Sequence, residues 1–173
     1  DLSDSNYPVD LGDAETIDAL YKNFEEKSLD SIVCAAARGV VFKKPEVMTI
    51  DDYTNSMQQK LLGQIQLVLK GMKYLNGNGS FTLTTGCLNR DYITGGSAAA
   101  MINDAVEGFA KASALELPRG LRINVVSPNL LEVSAEQYAA LMPGFPTVNS
   151  NKVAKAYRKS IYGVQTGQVY TIE

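Results

Sequence analysis

Residues 105–129 read AVEGFAKASALELPRGLRINVVSPN, and the order of residue types in this stretch decides the fold. Small and apolar residues at helical spacing run to Leu117, where Pro118 and Gly120 stop the helix. A tight β run over 121–126 follows and ends at a Ser127-Pro128 corner. A helix delivered straight into an apolar strand is one half of a βαβ crossover. Such crossovers finish at the carboxyl edge of a parallel sheet, where α/β folds place their ligands.

The same alternation extends outward from this stretch. Val9-Asp10 predicts the end of a short strand, and Asp13 the N-cap of a helix carrying Ile17, Leu20, Tyr21 and Phe24. Residues 31–36, SIVCAA, predict a strand buried on both faces. Thr49-Ile50-Asp51-Asp52 has the form of a capping box opening a long helix. The apolar stripe of that helix is Met57, Leu61, Ile65, Val68, Met72 and Leu75. Asn76-Gly77-Asn78-Gly79 predicts a turn, 80–85 a strand, 86–96 an irregular loop and 97–117 a second long helix. A mixed stretch to Val148, a helix over 152–160 and a strand over 166–170 close the chain. Together these elements predict a doubly wound, mostly parallel α/β sheet in three αβα layers.

Composition narrows the chemistry. The chain has 173 residues, 45% of them hydrophobic, and a net charge of −3 without any basic stripe. Nucleic acid and anionic membranes are therefore not expected partners. The longest apolar runs are strand-sized, so no membrane span is expected. There is no histidine, which excludes a Ser-His-Asp hydrolase or a His-ligated zinc site built from these residues, and no metal is expected. Cys34 and Cys87 fall in or just after buried strands and read as reduced, packed thiols, in keeping with a cytoplasmic protein.

The wording of 105–129, with Glu116-Leu117 and Ser127-Pro128-Asn129, closely resembles the short-chain dehydrogenase/reductase family around its sixth strand. The resemblance implies a single Rossmann-like domain over 1–173 and an oxidoreductase that moves hydride between NADP or NAD and a small carbonyl or alcohol. It also implies a homodimer or homotetramer joined through the two long helices. On this reading Asp10 lies near the cofactor's adenine, or simply ends a strand before a helix. Ala35 and Ala36 stand where the family lets its backbone approach the cofactor, while Arg38 faces either a phosphate or water. Ser127, Pro128 and Asn129 match the family's Ser-Pro-Gly, with Asn129 expected to tolerate a left-handed backbone as glycine would. Residues 130–148 match the variable substrate loop.

The resemblance breaks at the catalytic tetrad. Counting back from Glu116-Leu117, the family's Lys position holds Asn103 and its Tyr position holds Ala99. Alanine cannot transfer a proton, and an amide carries no charge to depress a phenol's pKa. The family's Ser matches Thr85, and its helix-four Asn matches Lys60. Lys60 shares a helix face with Tyr53, Ser56, Gly63 and Gln64; if that face turns inward, its amine enters the space beside Asn103. Tyr92, in the loop after Thr85, is a second candidate donor. Thr85, Lys60 and Tyr92 thus form the candidate catalytic set, and a non-catalytic scaffold that binds a dinucleotide or a protein is the alternative. No glycine-rich phosphate loop of the form G-x-x-x-G-x-G occurs in the sequence. The expectation is that the family's first strand and helix, roughly thirty to fifty residues, belong ahead of Asp1.

Overall fold

The computed structural model describes residues 7–36 and 38–173. Its main sheet has four parallel strands in the order β1 (Leu29–Val33), β2 (Leu75–Thr84), β3 (Arg122–Pro128), β6 (Val169–Ile172). A small second sheet pairs β4 (Leu130–Leu131) with β5 (Thr147–Val148) in parallel just beyond the end of β3. Helices α1 (Ala14–Tyr21), α3 (Gly63–Gly71) and α4 (Ser97–Ser113) cover one face of the main sheet, and α6 (Ser150–Tyr162) covers the other. The three-layer αβα reading therefore holds.

Strand alternation divides the sheet chemically. Phe81, Leu83, Ile123 and Val125 point into the α1/α3/α4 layer, where Val68, Ile102 and Val106 meet them, and all are almost fully buried. Burial of side chains this size contributes about 1.5–3 kcal/mol each. On the opposite face Thr82, Thr84 and Asn124 alternate with them, and α6 answers with polar groups. Thr82 Oγ1 meets Ser160 Oγ at 2.6 Å, Thr84 Oγ1 meets Tyr157 Oη at 2.6 Å, and Asn124 Nδ2 donates to Ser160 Oγ at 3.3 Å. Paired in this way, buried polar groups fix register without the penalty of unsatisfied atoms.

Several local expectations are corrected. The Asn76–Gly79 stretch does not turn the chain but bulges within β2. Leu29 pairs with Leu75 and Ser31 already with Ser80, so the extra residues loop out opposite Asp30, with Asn78 at φ 64°. Asparagine and glycine suit this irregular path as they would a turn. The strand expected over 31–36 ends at Val33 and is not buried on both faces: Val33 is 41% exposed, because among the described residues β1 pairs only with β2. No strand is found at Val9-Asp10. The helix expected to reach Leu117 ends at Ser113, and β3 continues through Pro128. Asn129 is not among the described residues with positive φ.

The capping box at Thr49 and Asp52 forms as expected and opens α2 (Ile50–Ser56). The long helix it starts is not uniform. A π-helical segment, Met57–Leu62, separates α2 from α3. Lys60 lies within it.

Candidate active site

The carboxyl ends of β1, β2 and β3 open into a cleft of about 730 Å³. Its base is set by Lys60, Thr85, Gly86, Ala99 and Asn103. Arg38, Gly39 and Phe42 line one wall, and Pro128 to Leu131, Leu141 and Met142 the other. The cleft thus opens at the carboxyl edge of the sheet, the edge that the crossover rule picks out.

Lys60 is delivered there by two local devices. The π-helical turn widens the helix, a distortion often found at functional sites. It lies along a face on which Ser56, Lys60, Gly63 and Gln64 are all buried, the inward turn that the sequence left conditional. Gln64 then clamps this face to the sheet. Its Oε1 accepts from Thr84 N at 2.8 Å, while its Nε2 donates to Thr84 O at 3.1 Å and Lys60 O at 3.2 Å. β1 has ended by this point, so the Gln64 amide satisfies backbone groups of Thr84 that a neighbouring strand would otherwise take. Ser56 Oγ accepts from Val41 N at 3.0 Å and ties the cleft wall to the same helix.

Only 6% of Lys60 is exposed, and its Nζ donates to Asn103 Oδ1 at 2.7 Å. Asn103 Nδ2 donates in turn to Gly86 O at 3.0 Å, which fixes the amide with its oxygen toward the amine. Among the described residues no carboxylate forms an ion pair with Lys60. Burial pushes its ammonium down to about 8, opposed only by the nearby Cys34. The amine can thus be charged at neutral pH and still release its proton readily.

Thr85 sits at the end of β2, and its hydroxyl is committed. Oγ1 donates to Glu107 Oε1 at 3.1 Å, since an ionised carboxylate can only accept. The same Glu107 oxygen takes Arg90 Nη1 at 3.3 Å, and Arg90 Nη2 donates to Ser127 Oγ at 3.0 Å. Ser127 Oγ donates to Gly86 O at 3.2 Å. This network joins the ends of β2 and β3 to α4 and leaves Thr85 Oγ1 with acceptor capacity toward the cleft.

The other residues singled out from the sequence divide. Pro128 and Asn129 line the cleft, whereas Ser127 is fully buried behind it in the Arg90 network. Ala35 and Ala36 are exposed just past β1, next to Ala37, which lies outside the described residues. Asp10 accepts from Gly12 N at 2.8 Å in the turn before α1, away from the cleft lining. Tyr92 is 72% exposed and is not brought into the cleft. Sequence reading missed the partnership of Glu107 with Arg90 and Thr85. These residues lie 17 and 22 positions apart and join a helix to a loop, so no periodicity signals the contact.

The described residues include no group of three or more His, Cys, Asp or Glu placed to hold a metal, and no helix long and apolar enough to cross a membrane. A nicotinamide group can be tested against the donor set. Gly39, Gly86 and Pro128 line the cleft together with Lys60, whose ammonium has two donors beyond the one given to Asn103, a set compatible with a ring carrying hydroxyl and carbonyl oxygens. The residues fit that half of a dinucleotide.

Comparison with known proteins agrees with this fold. The family model described as enoyl-(acyl carrier protein) reductase matches residues 1–163, and the chain belongs to the short-chain dehydrogenase/reductase family. It is 28% identical over 156 residues to the short-chain dehydrogenase/reductase ucsE of Acremonium sp., covering 82% of this chain but 58% of that protein. The chain thus spans somewhat over half the length of this curated relative. Among solved structures, the protein lin1944 of Listeria innocua is 42% identical, with a TM-score of 0.91 over 95% of this chain and 81% of that one. A small-chain dehydrogenase in complex with NADPH shares the fold at 22% identity and a TM-score of 0.81, over 95% of this chain and 80% of its own.

Proposed function

We propose that this chain carries the substrate end of an NAD(P)-dependent oxidoreductase acting on a small carbonyl or alcohol, with Lys60 in place of the family's tyrosine as proton donor. The observation that carries the reading is the buried Lys60 amine, held by Asn103 at 2.7 Å at the base of the cleft. Gly39, Gly86 and the Pro128–Asn129 segment would hold the nicotinamide, which supplies the hydride when bound. Lys60 directs an N–H at the substrate oxygen and gives up a proton as negative charge develops there. Its lowered pKa makes it a better acid than an ordinary lysine. Thr85 accepts rather than donates, and so orients a substrate hydroxyl in the alcohol direction. The apolar wall of Leu130, Leu131, Leu141 and Met142 keeps water from the reacting centre.

The test is steady-state oxidation of NADPH and NADH with a panel of aldehydes and ketones. Lys60→Gln should lower kcat by roughly a hundredfold to ten-thousandfold, the usual worth of general acid catalysis. Cofactor binding without turnover on any of the panel would favour the alternative suggested by Ala99 and Asn103, a non-catalytic binding scaffold. Assembly through the two long helices is part of the same proposal. Leu62, Leu69 and Met101 are partly exposed on that layer, and sedimentation of the chain tests whether a second copy covers them.

A further inference from the structure

The cleft has an asymmetry of charge that hydride transfer to a simple ketone does not require. Two cations line it, Lys60 and Arg38, and among the described residues no aspartate or glutamate lines it. This is notable in a chain whose net charge is −3. Glu107, the acid of the neighbouring network, is held by Arg90 and Thr85 and does not line the cleft. Lys60 is only 6% exposed, and its amine makes one hydrogen bond, to a neutral amide oxygen. An ammonium carries three N–H donors, so two remain for whatever enters the cleft. Water can take those donors but cannot balance the charge, and a buried charge is stabilised by an opposite charge that is also hydrogen-bonded. The remaining walls are apolar, from Val40 and Phe42 on one side to Leu131, Leu141 and Met142 on the other.

We propose that the cleft takes a monoanionic, otherwise apolar molecule of the carboxylate class, with its carboxylate oxygens on the two remaining N–H donors of Lys60 and its carbon skeleton along the apolar walls. The inference rests on the ligand-binding reading of the cleft given above and names the chemistry of what enters it. A 2-oxo acid joins the two readings, one carboxylate oxygen taking one of the two remaining N–H donors and the adjacent carbonyl oxygen the other. Arg38 is exposed, so solvent screens it, and it contributes attraction more than binding energy.

Calorimetric titration of the chain with octanoate, octanamide and 1-octanol tests the proposal. These probes share a tail and differ in the charge of the head. Octanoate should bind roughly tenfold tighter or more than either neutral probe, since a charge-assisted pair replaces a neutral one. Lys60→Met, confirmed folded by its melting curve, should reduce octanoate to the level of octanamide, and Arg38→Ala should change it by less than about threefold. Equal binding of octanoate and octanamide by the unaltered chain overturns the proposal without recourse to any variant, as does octanoate binding that survives Lys60→Met. Turnover of 2-oxooctanoate and 2-octanone with NADPH separates this result from the oxidoreductase reading. Turnover of 2-octanone without charge preference in binding removes the anion site and keeps the enzyme. Lys60-dependent octanoate binding with neither ketone reduced keeps the anion site and removes the enzyme.

Discussion

Lys60 Nζ donates to Asn103 Oδ1 at 2.7 Å, between the π-helical segment and α4. On the alignment that the resemblance implies, these two residues stand where the family has Asn and Lys, in exchanged order. The exchange keeps one amine and one amide in the site but brings the amine in from the opposite helix. The amide no longer needs to carry charge, because its Nδ2 is spent on Gly86 O and its oxygen on Lys60. On the proposed function Ala99 stands where the family has its phenol, and Lys60, its pKa lowered by burial, takes that role.

The first prediction concerns pH and stability. The Lys60 ammonium titrates at about 8 in the fold, against an ordinary value near 10.5. Between those values the unfolded chain binds more protons, so this group's contribution to stability is fully present above pH 10.5 and is lost as pH falls through 8. The displacement amounts to roughly 3 kcal/mol. Burial raises the Cys34 thiol, which works in the opposite sense as pH rises, so the quantity to follow is the difference between wild type and Lys60→Met in urea denaturation. Relative to the variant, wild type should gain up to about 3 kcal/mol between pH 7 and pH 10.5. A difference independent of pH would mean that the amine is solvated.

Gln64→Leu probes the clamp that positions Lys60. The substitution keeps the volume but leaves the N–H and C=O of Thr84 buried without their side-chain partner. Each unsatisfied group costs about 1–3 kcal/mol, so a loss of roughly 2–4 kcal/mol is expected in denaturant unfolding. Gln64→Glu keeps the acceptor for Thr84 N but sets a buried carboxylate against the carbonyl oxygens of Thr84 and Lys60, so it should cost at least as much as Gln64→Leu. A loss below about 0.5 kcal/mol would show that water replaces the clamp.

The Arg90–Glu107 pair yields an asymmetric expectation. Glu107 is 9% exposed at its side chain and Arg90 33%, so the carboxylate is the member that cannot be left alone. Arg90→Ala should destabilise by about 2 kcal/mol, less than a fully buried pair because solvent already reaches the guanidinium. Glu107→Gln retains an oxygen for Thr85 and Arg90 and should cost under about 1 kcal/mol. Thermal unfolding of the two variants in parallel checks the order, and a larger cost for Glu107→Gln would contradict it.

How far these features were legible in the sequence follows from the range of the interactions. The sheet end and the capping box at Thr49 are local matters of periodicity and punctuation and were readable, whereas the inward face of Lys60 stayed conditional until the packing of its helix was known. The Asn76–Gly79 bulge was mistaken for a turn because both need the same residues, and only the register against Leu29 and Ser31 tells them apart. β1 was read as buried on both faces because its apolar run matches a central strand, whereas burial depends on what pairs with its free edge. The Gln64 clamp and the Glu107 network depend on contacts across 17 to 22 residues, which no local pattern encodes.

Tyr92 and Lys60 make opposite claims on the transferred proton, and the pH dependence of the rate decides between them. Tyr92 is 72% exposed in the loop after Thr85, outside the cleft lining, so Tyr92→Phe should leave kcat within about twofold of wild type, the range of a surface change remote from the chemistry. If Lys60 supplies the proton, carbonyl reduction needs its charged form. The kcat/KM for a ketone should then be level below pH 8 and fall about tenfold per pH unit above it, once the amine has lost its proton. The reverse reaction needs the neutral amine as base and should rise over the same interval before levelling. In Lys60→Gln both limbs should vanish along with most of the rate. A reduction rate that stays level to pH 10, or one abolished by Tyr92→Phe, would mean that the loop swings its phenol into the cleft and that the buried lysine only orients the substrate.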